Sequence, residues 1–237
     1  TSDMPQHGLA RQNHWRFDFQ SRVDNEDEAS CEYYLHVKAD DPDVAGRGTQ
    51  GLWAPGPTAP ACQLRCKISI TATTLTQTLT MTNTGGVAFP VQALFHTYYQ
   101  VHQKAALDPT KCFVQGLEEY AMIDKVDPTQ TTTDKNGVER ITIPGETDRV
   151  YTPPRDKPEL KVTIGVGTKS QKLVRLQCRG TVDGTTVPVS CVVWNPHKTK
   201  AQAMSDFGND QYHDMICVEP GILGQPILQP GKVAILQ

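Results

Sequence analysis

Leu-Arg-Cys-Lys-Ile-Ser-Ile-Thr-Ala (residues 64–72), followed by Thr-Thr-Leu-Thr-Gln-Thr-Leu-Thr-Met-Thr-Asn-Thr (residues 73–84), is the stretch that decides the fold class. In its first part an apolar or small residue recurs at every second position, which is the period of a β-strand. The threonine-rich run over residues 71–84 also favours a strand, because β-branched side chains suit a pleated surface. It ends at Asn83-Thr84-Gly85-Gly86, which has the composition of a turn.

Strand-like runs recur along the rest of the chain, separated by Gly, Pro, Asn and Asp. They cover residues 31–37, 140–143, 150–151, 160–166, 172–178, 187–194 and 233–236. Many short strands with such turn signals favour a sandwich, so we expect an all-β protein, a large antiparallel β-sandwich folded as one domain over residues 1–237. One short helix is expected at residues 199–207, anchored by Met204 and Phe207, with Trp194 packed beneath it.

Charge and cysteine content exclude several classes of protein. The 237 residues carry 23 Lys and Arg against 26 Asp and Glu, and a net charge of −3 argues against nucleic-acid binding. No run of about 18 apolar residues is present, so we expect no membrane contact. The seven cysteines are odd in number and form no CxxC pair, which favours reduced thiols, a cytoplasmic location and no structural metal.

A histidine stands in the middle of a further strand-like run, residues 91–102. Because side chains alternate along a strand, His96 shares one face with Leu94 and Tyr98 and projects from the sheet surface. An imidazole held on a rigid strand is a suitable proton donor near neutral pH. His96 is therefore our candidate general acid.

The expected partner of His96 lies far along the chain. Residues 215–218 form a short apolar run that leads into Glu219-Pro220-Gly221, where we expect regular structure to break. Glu219 is the candidate general base. An exposed carboxylate at the end of a strand is the alternative interpretation.

The N-terminal segment Pro5-Gln6-His7-Gly8-Leu9-Ala10-Arg11 gathers an amide, an imidazole and a guanidinium within a few residues. Such groups suit a ligand rich in hydroxyl or phosphate oxygens. Taken singly, His7 could cap a loop and Arg11 could pair with an acidic neighbour.

These segments resemble those of the hexose-6-phosphate mutarotases (glucose-6-phosphate 1-epimerases), a branch of the aldose 1-epimerase and galactose mutarotase-like superfamily. The combination is highly specific and is spread along the chain. It comprises Met4 to Arg11, Phe95-His96-Thr97-Tyr98-Tyr99, Gly116-Leu117-Glu118, Glu146-Thr147-Asp148-Arg149-Val150-Tyr151, Val192-Val193-Trp194-Asn195-Pro196 and Met215-Ile216-Cys217-Val218-Glu219-Pro220-Gly221.

The resemblance implies a galactose mutarotase-like supersandwich and an isomerase that interconverts the α and β anomers of hexose 6-phosphates. It assigns His96 as the acid and Glu219 as the base. Gln6, Arg11 and Asp148 are expected to bind the substrate, with Arg11 on the phosphate, and His7 is a weaker candidate from the same motif. No cofactor and no metal are implied, and we expect a monomer. Relatives carry an upstream segment, so we expect the sequence to begin inside a longer gene product that supplies further N-terminal strands.

Two other functions stay open from the sequence. A non-catalytic carbohydrate-binding module could use the same sandwich, although it has no need of an acid and a base. A polysaccharide hydrolase or lyase is disfavoured, because glycoside hydrolysis normally uses two carboxylates and Glu219 alone is well placed.

Overall fold

The computed structural model describes residue 8 and residues 10–37, 61–167 and 172–237. The strands in these ranges are β1 (Arg16–Asp24), β2 (Ala29–Val37), β3 (Cys62–Ile70), β4 (Leu75–Asn83), β5 (Phe89–Pro90), β6 (Ala93–Leu94), β7 (Tyr98–Gln100), β8 (Cys112–Gln115), β9 (Ala121–Asp124), β10 (Arg140–Ile141), β11 (Thr147–Thr152), β12 (Leu160–Val166), β13 (Leu173–Cys178), β14 (Gly180–Val182), β15 (Thr185–Val187), β16 (Ser190–Asn195), β17 (Met215–Ile222), β18 (Ile227–Leu228) and β19 (Val233–Leu236). The one α-helix of the described residues is α1 (His197–Ala203), and short 3-10 turns lie at Ala10–Gln12, His102–Lys104, Pro128–Gln130 and Gln211–His213. The expected all-β, antiparallel architecture is confirmed.

The chain forms two compact units. Unit 1 draws on residues 1–91, 181–186 and 225–237, and unit 2 on residues 92–180 and 187–224. The expectation of a single domain stays a prediction. Among the described residues, no helix is both long enough and apolar enough to cross a membrane.

Unit 1 is built on a seven-stranded sheet in the order β1-β2-β3-β4-β19-β14-β15. The alternating run and the threonine-rich run of the sequence form β3 and β4, which pair in register from Cys62 opposite Asn83 to Ile70 opposite Leu75. Between them the Thr71 N–H donates to the Thr74 carbonyl in a tight turn, so the threonine-rich strand begins at Leu75 rather than at Thr71.

Unit 2 contains a four-stranded sheet, β10-β8-β12-β13, and a six-stranded sheet built on β6-β17-β16-β11-β9, with β7 also paired to β17. Strand β12 has the predicted bounds, and Leu160, Val162 and Ile164 are buried on one of its faces. β17 is buried along its whole length, and it pairs with β16 on one side and with β6 and β7 on the other.

The helix differs from the sequence prediction. It begins at His197 and ends at Ala203, and Met204 already has extended backbone angles. The Asn195 side chain explains the early start, because its Oδ1 accepts the N–H of His197. The predicted anchoring of the helix by Met204 and Phe207 is wrong, since both residues lie beyond its end.

The strand-like run around His96 is interrupted where Pro220 faces it. Leu94 pairs with Gly221 and Tyr98 pairs with Cys217, so the unchanged register places Phe95 opposite Pro220 and His96 opposite Glu219. Phe95 donates its N–H to the Pro220 carbonyl, but proline has no N–H to return. The Phe95 carbonyl instead accepts the N–H of Thr97, a three-residue γ-type turn with His96 at its centre.

β17 also corrects the prediction that regular structure breaks at Glu219. The strand continues through Glu219, Pro220 and Gly221 to Ile222. It is the facing segment, at residues 95–97, that leaves regular strand geometry.

Gly221→Ala should destabilise the protein by about 1–3 kcal/mol, because a Cβ there would meet the Leu94 Cβ and lie 2.7 Å from the Ala93 carbonyl oxygen. Urea denaturation of the variant measures the loss. Gly224→Ala is the matched control, since nothing lies within 4 Å of its Cβ position. Equal stability of the two variants would contradict the close approach of β6 to β17.

Candidate active site

His96 and Glu219 are brought together on one face of the six-stranded sheet of unit 2. Directly opposed residues of antiparallel strands project on the same side of a sheet, and the register places these two opposite each other. The His96 Nδ1 lies 3.2 Å from the Glu219 Oε1. The His96 side chain is 34% exposed and that of Glu219 is 5% exposed, so the imidazole screens the carboxyl from solvent.

Burial controls the acidity of Glu219. Burial first, and the negative charge of Asp148 second, raise the pKa of this carboxyl from 4.5 to about 7. The positive charge of Lys125 and a hydrogen bond from the Cys217 thiol act in the opposite direction and lower the pKa. A carboxylate with a pKa near neutrality is suited to accept a proton and to return it.

Asp148 occupies the same face, two strands away from Glu219. It pairs with Trp194 on β16, and Trp194 pairs with Cys217 on β17. Neighbouring strands lie about 4.8 Å apart, which puts the backbones of β11 and β17 about 10 Å from each other. The Lys125 Nζ lies 3.5 Å from the Asp148 Oδ1, and the Asp148 side chain remains 22% exposed.

Aromatic rings border the His96 and Glu219 pair. The Tyr98 ring stacks on the His96 imidazole, with centroids 5.1 Å apart and planes 6° from parallel. The Trp194 indole meets the His96 ring edge-on at 6.1 Å and the Phe207 ring at 6.3 Å. Trp194 therefore lies on the same face of the sheet as His96, at the site.

The opposite face of β16 fixes the segment that follows Trp194. The Asn195 side-chain amide is fully buried and donates to the carbonyls of Tyr212 and Met215. The Asn195 side chain thus forms hydrogen bonds near both ends of the 196–214 segment, which carries the Phe207 ring that contacts Trp194.

The predicted site residues divide into three groups. His96, Glu219 and Asp148 share one sheet face of unit 2. Arg11 lies in unit 1, in the Ala10–Gln12 turn, and is exposed. Gln6 and His7 lie outside the described residues, and substrate binding by Gln6, His7 and Arg11 stays a prediction.

Two further residues border the acid and base and were not proposed from the sequence as site residues. Tyr98 could have been found, because it shares the alternating face with His96. Trp194 was assigned to packing, since a large aromatic residue is usually buried and its register against β17 is not visible in the sequence.

Comparison with known proteins identifies the family of this chain. The aldose 1-epimerase family profile matches residues 1–234. The chain belongs to the aldose 1-epimerase family. One curated relative is named "Putative glucose-6-phosphate 1-epimerase" and comes from Cenchrus ciliaris. It is 32% identical to this chain over 159 residues, which is 67% of this chain and 43% of the relative. The chain therefore spans less than half the length of that relative.

Solved structures show the same fold as this aldose 1-epimerase family member. A structure described as "a putative mutarotase (YeaD)" from Salmonella typhimurium matches all of this chain and 68% of its own, with a TM-score of 0.63 and 19% identity. A galactose mutarotase related enzyme from Lactobacillus acidophilus matches 98% of this chain and 73% of its own, with a TM-score of 0.60 and 11% identity. These matches confirm the galactose mutarotase-like β-sandwich fold.

Glu219→Gln should make stability less sensitive to pH. The folded-state pKa of the parent carboxyl is raised, so its contribution to stability is fully present below 4.5 and is lost as pH rises through about 7. Each pKa unit is worth about 1.4 kcal/mol, and the pKa of Glu219 lies about 2.5 above its ordinary value, so the variant should gain about 3–3.5 kcal/mol over the parent between acidic and mildly alkaline pH.

Chemical denaturation of the parent and the Gln variant at both pH values measures this gain. Glu159→Gln, at a partly exposed carboxylate, is the control and should follow the parent. A constant difference between parent and Glu219→Gln at all pH values would contradict the burial argument.

Proposed function

We propose that this protein interconverts the α and β anomers of hexose 6-phosphates, glucose 6-phosphate first among them. Membership of the aldose 1-epimerase family supports anomer interconversion of sugars. The contact between the His96 Nδ1 and the Glu219 Oε1, on an exposed sheet face, is the observation that carries the proposed mechanism.

The proposed reaction uses the pair as acid and base. Protonated His96 donates to the ring oxygen O5 as the C1–O5 bond breaks, while Glu219 removes the proton from the C1 hydroxyl and leaves a free aldehyde. The aldehyde then turns about the C1–C2 bond. On reclosure His96 takes the proton from O5 and Glu219 returns one to O1, so both groups end in their starting states and no cofactor is consumed.

The short distance between the two groups suits this chemistry. O1 and O5 are both bonded to C1, so an acid and a base that act on them must be neighbours. The Nδ1 atom of His96 faces Glu219, and we assign the transfer to O5 to the other ring nitrogen, Nε2. The raised pKa of Glu219, about 7, lets the carboxylate act as a base in neutral solution.

The surroundings of the pair fit a sugar. Tyr98 is 49% exposed and Trp194 is partly buried, and both rings border the site. Asp148 offers a carboxylate that can accept hydrogen bonds from hydroxyl groups. We assign the phosphate to Arg11, with Gln6 and His7 as further substrate contacts, because a guanidinium binds phosphate oxygens in a bidentate manner.

We further propose that the protein acts as a monomer in the cytoplasm on a small sugar phosphate, without contact to nucleic acid or membrane. All seven cysteines lie within the described residues and are free thiols, which fits a reducing compartment.

His96→Asn and Glu219→Gln should each slow anomer exchange of glucose 6-phosphate by a factor of about 10² to 10⁴, the usual contribution of a general acid or base. NMR saturation transfer between the two anomeric protons measures the exchange. His36→Asn, on the unit 1 sheet, is the matched control and should exchange at the parent rate. Parent-like rates in both site variants would refute the mechanism.

A carbohydrate-binding module would give a different result in the same experiment. It would bind the sugar without accelerating exchange above the spontaneous rate, and the two site variants would leave the observed rate unchanged.

Arg11→Ala should raise KM for glucose 6-phosphate about 10- to 100-fold, because a hydrogen bond to a charged group contributes about 1.5–3 kcal/mol. KM for unphosphorylated glucose should stay near that of the parent. The comparison of the two KM values is the measurement, and equal effects on both sugars would exclude a phosphate contact.

A further inference from the structure

Beneath the imidazole of His96 lies a third group that the proposed reaction does not use. The Cys217 Sγ is 3.8 Å from the His96 Nδ1, and Cys217 itself is fully buried. Cys217 and Glu219 are two residues apart on β17, so both side chains project on the face that His96 occupies. In the part of the chain that the structure describes, these three residues are the one group of its kind in which nitrogen, sulfur and carboxylate oxygen atoms converge.

We propose that His96, Cys217 and Glu219 form a three-ligand site for a zinc-class divalent cation, and that occupancy of this site switches the enzyme off. One imidazole nitrogen, one thiolate and one carboxylate oxygen are the ligand types that Zn²⁺ takes in proteins. The metal site itself does not depend on the proposed function, whereas the inhibition rests on it.

The distances fit this assignment. Zn–N and Zn–O bonds of about 2.0–2.2 Å and a Zn–S bond of about 2.3 Å place tetrahedral ligand atoms about 3.3–3.6 Å apart. The two measured separations are 3.2 Å and 3.8 Å, and all three donor atoms lie within 4.8 Å of one another. A cation can therefore be bound with small side-chain shifts.

The backbone makes the site rigid. Cys217 and Glu219 belong to the central strand β17, and His96 is held by hydrogen bonds on both sides of its turn, from Phe95 N–H to Pro220 and from Val218 N–H to Thr97. The His96 side chain is 34% exposed, so one side of the three-residue group is open to solvent. This is the arrangement of an open zinc site, which completes its shell with water.

Coordination would remove the acid and the base together. Binding replaces the thiol proton of Cys217, which passes to solvent, and engages the His96 Nδ1 and the Glu219 carboxylate as ligands. The cation lowers the basicity of the Glu219 carboxylate, so Glu219 no longer removes the proton of the C1 hydroxyl, and a His96 that binds the cation through Nδ1 is no longer the imidazolium that protonates O5. Anomer exchange should stop while the cation is bound and return when a chelator removes it.

The test of the site uses the parent protein and metal alone. Titration with Co²⁺ should give the strong visible bands of a four-coordinate ion and a sulfur-to-cobalt charge-transfer band, with one ion bound per chain and displaced by Zn²⁺. Cys217→Ser should abolish the charge-transfer band and weaken Zn²⁺ binding at least about 100-fold, since loss of an outer contact alone costs up to that factor.

Cys31→Ser is the matched control, because Cys31 is a partly exposed thiol of unit 1, and it should bind as the parent does. His96→Asn removes a second ligand, keeps the thiol and should also weaken Zn²⁺ binding. If Cys217→Ser does not fold, the Zn²⁺ affinity of His96→Asn tests the metal site. Absence of a charge-transfer band in the parent, or equal Zn²⁺ affinity in parent and Cys217→Ser, would overturn the site.

Inhibition is measured separately by anomer exchange. Zn²⁺ should abolish exchange in the parent, EDTA should restore it, and Cys217→Ser should exchange without metal and resist Zn²⁺. Full parent activity with Zn²⁺ bound would overturn the switch while leaving the metal site intact. If the parent shows no exchange at all, the proposed function fails, and the Co²⁺ spectrum still decides the metal site.

Discussion

The missing N–H of Pro220 is the constraint on which the site geometry depends. A regular antiparallel pair at this position would exchange two backbone hydrogen bonds, and proline can supply one acceptor but no donor. The Phe95 carbonyl instead accepts the N–H of Thr97 in its own segment, so the segment turns at His96. The flanking pairs keep their register, so the turned residue stays directly opposite Glu219. The missing N–H of Pro220 thus gives His96 a turn geometry that it would not have in a regularly paired strand.

The sheet supplies the remaining parts of the site through its two-residue period. β11, β16, β17 and β7 each present alternate residues to the exposed side, which assembles Asp148, Trp194, Cys217 and Tyr98 in one row. The other side of the same strands is apolar, with Val193, Ile216 and Val218 fully buried. A reactive surface and a hydrophobic core therefore share the same strands. The cost of burying Glu219 is reflected in its raised pKa.

Sequence patterns predicted the strands with compact or alternating apolar residues well and the local deviations poorly. β12 and β19 have the expected bounds, because their apolar residues follow a clean alternation or a short compact run. β1 was not predicted, since Arg16–Asp24 is mostly exposed and carries no such pattern. The helix begins earlier than predicted, where the His197 N–H donates to the Asn195 Oδ1, a side-chain contact that periodicity does not show. The interruption at His96 depends on a proline more than one hundred residues away, so no local pattern could reveal it.

For the site, the family resemblance selected His96, Glu219 and Asp148, which the fold brings to one surface, and their roles stay a prediction. It did not select Tyr98 or Trp194, whose placement follows from strand register. Spacing rules for metal sites look for several ligands close together in sequence, and they pass over Cys217 because one of its two partners, His96, lies on the facing segment more than one hundred residues away.

The continuous pairing of β17 also bears on how the chain reaches its native topology. A slip of one residue against β16 would turn Glu219 toward the apolar side and bring Val218 to the surface, because neighbouring side chains point in opposite directions. An ionisable group without partners in a nonpolar interior is costly. The Glu219 carboxylate would thus raise the free energy of the misaligned sheet and favour the native register during folding.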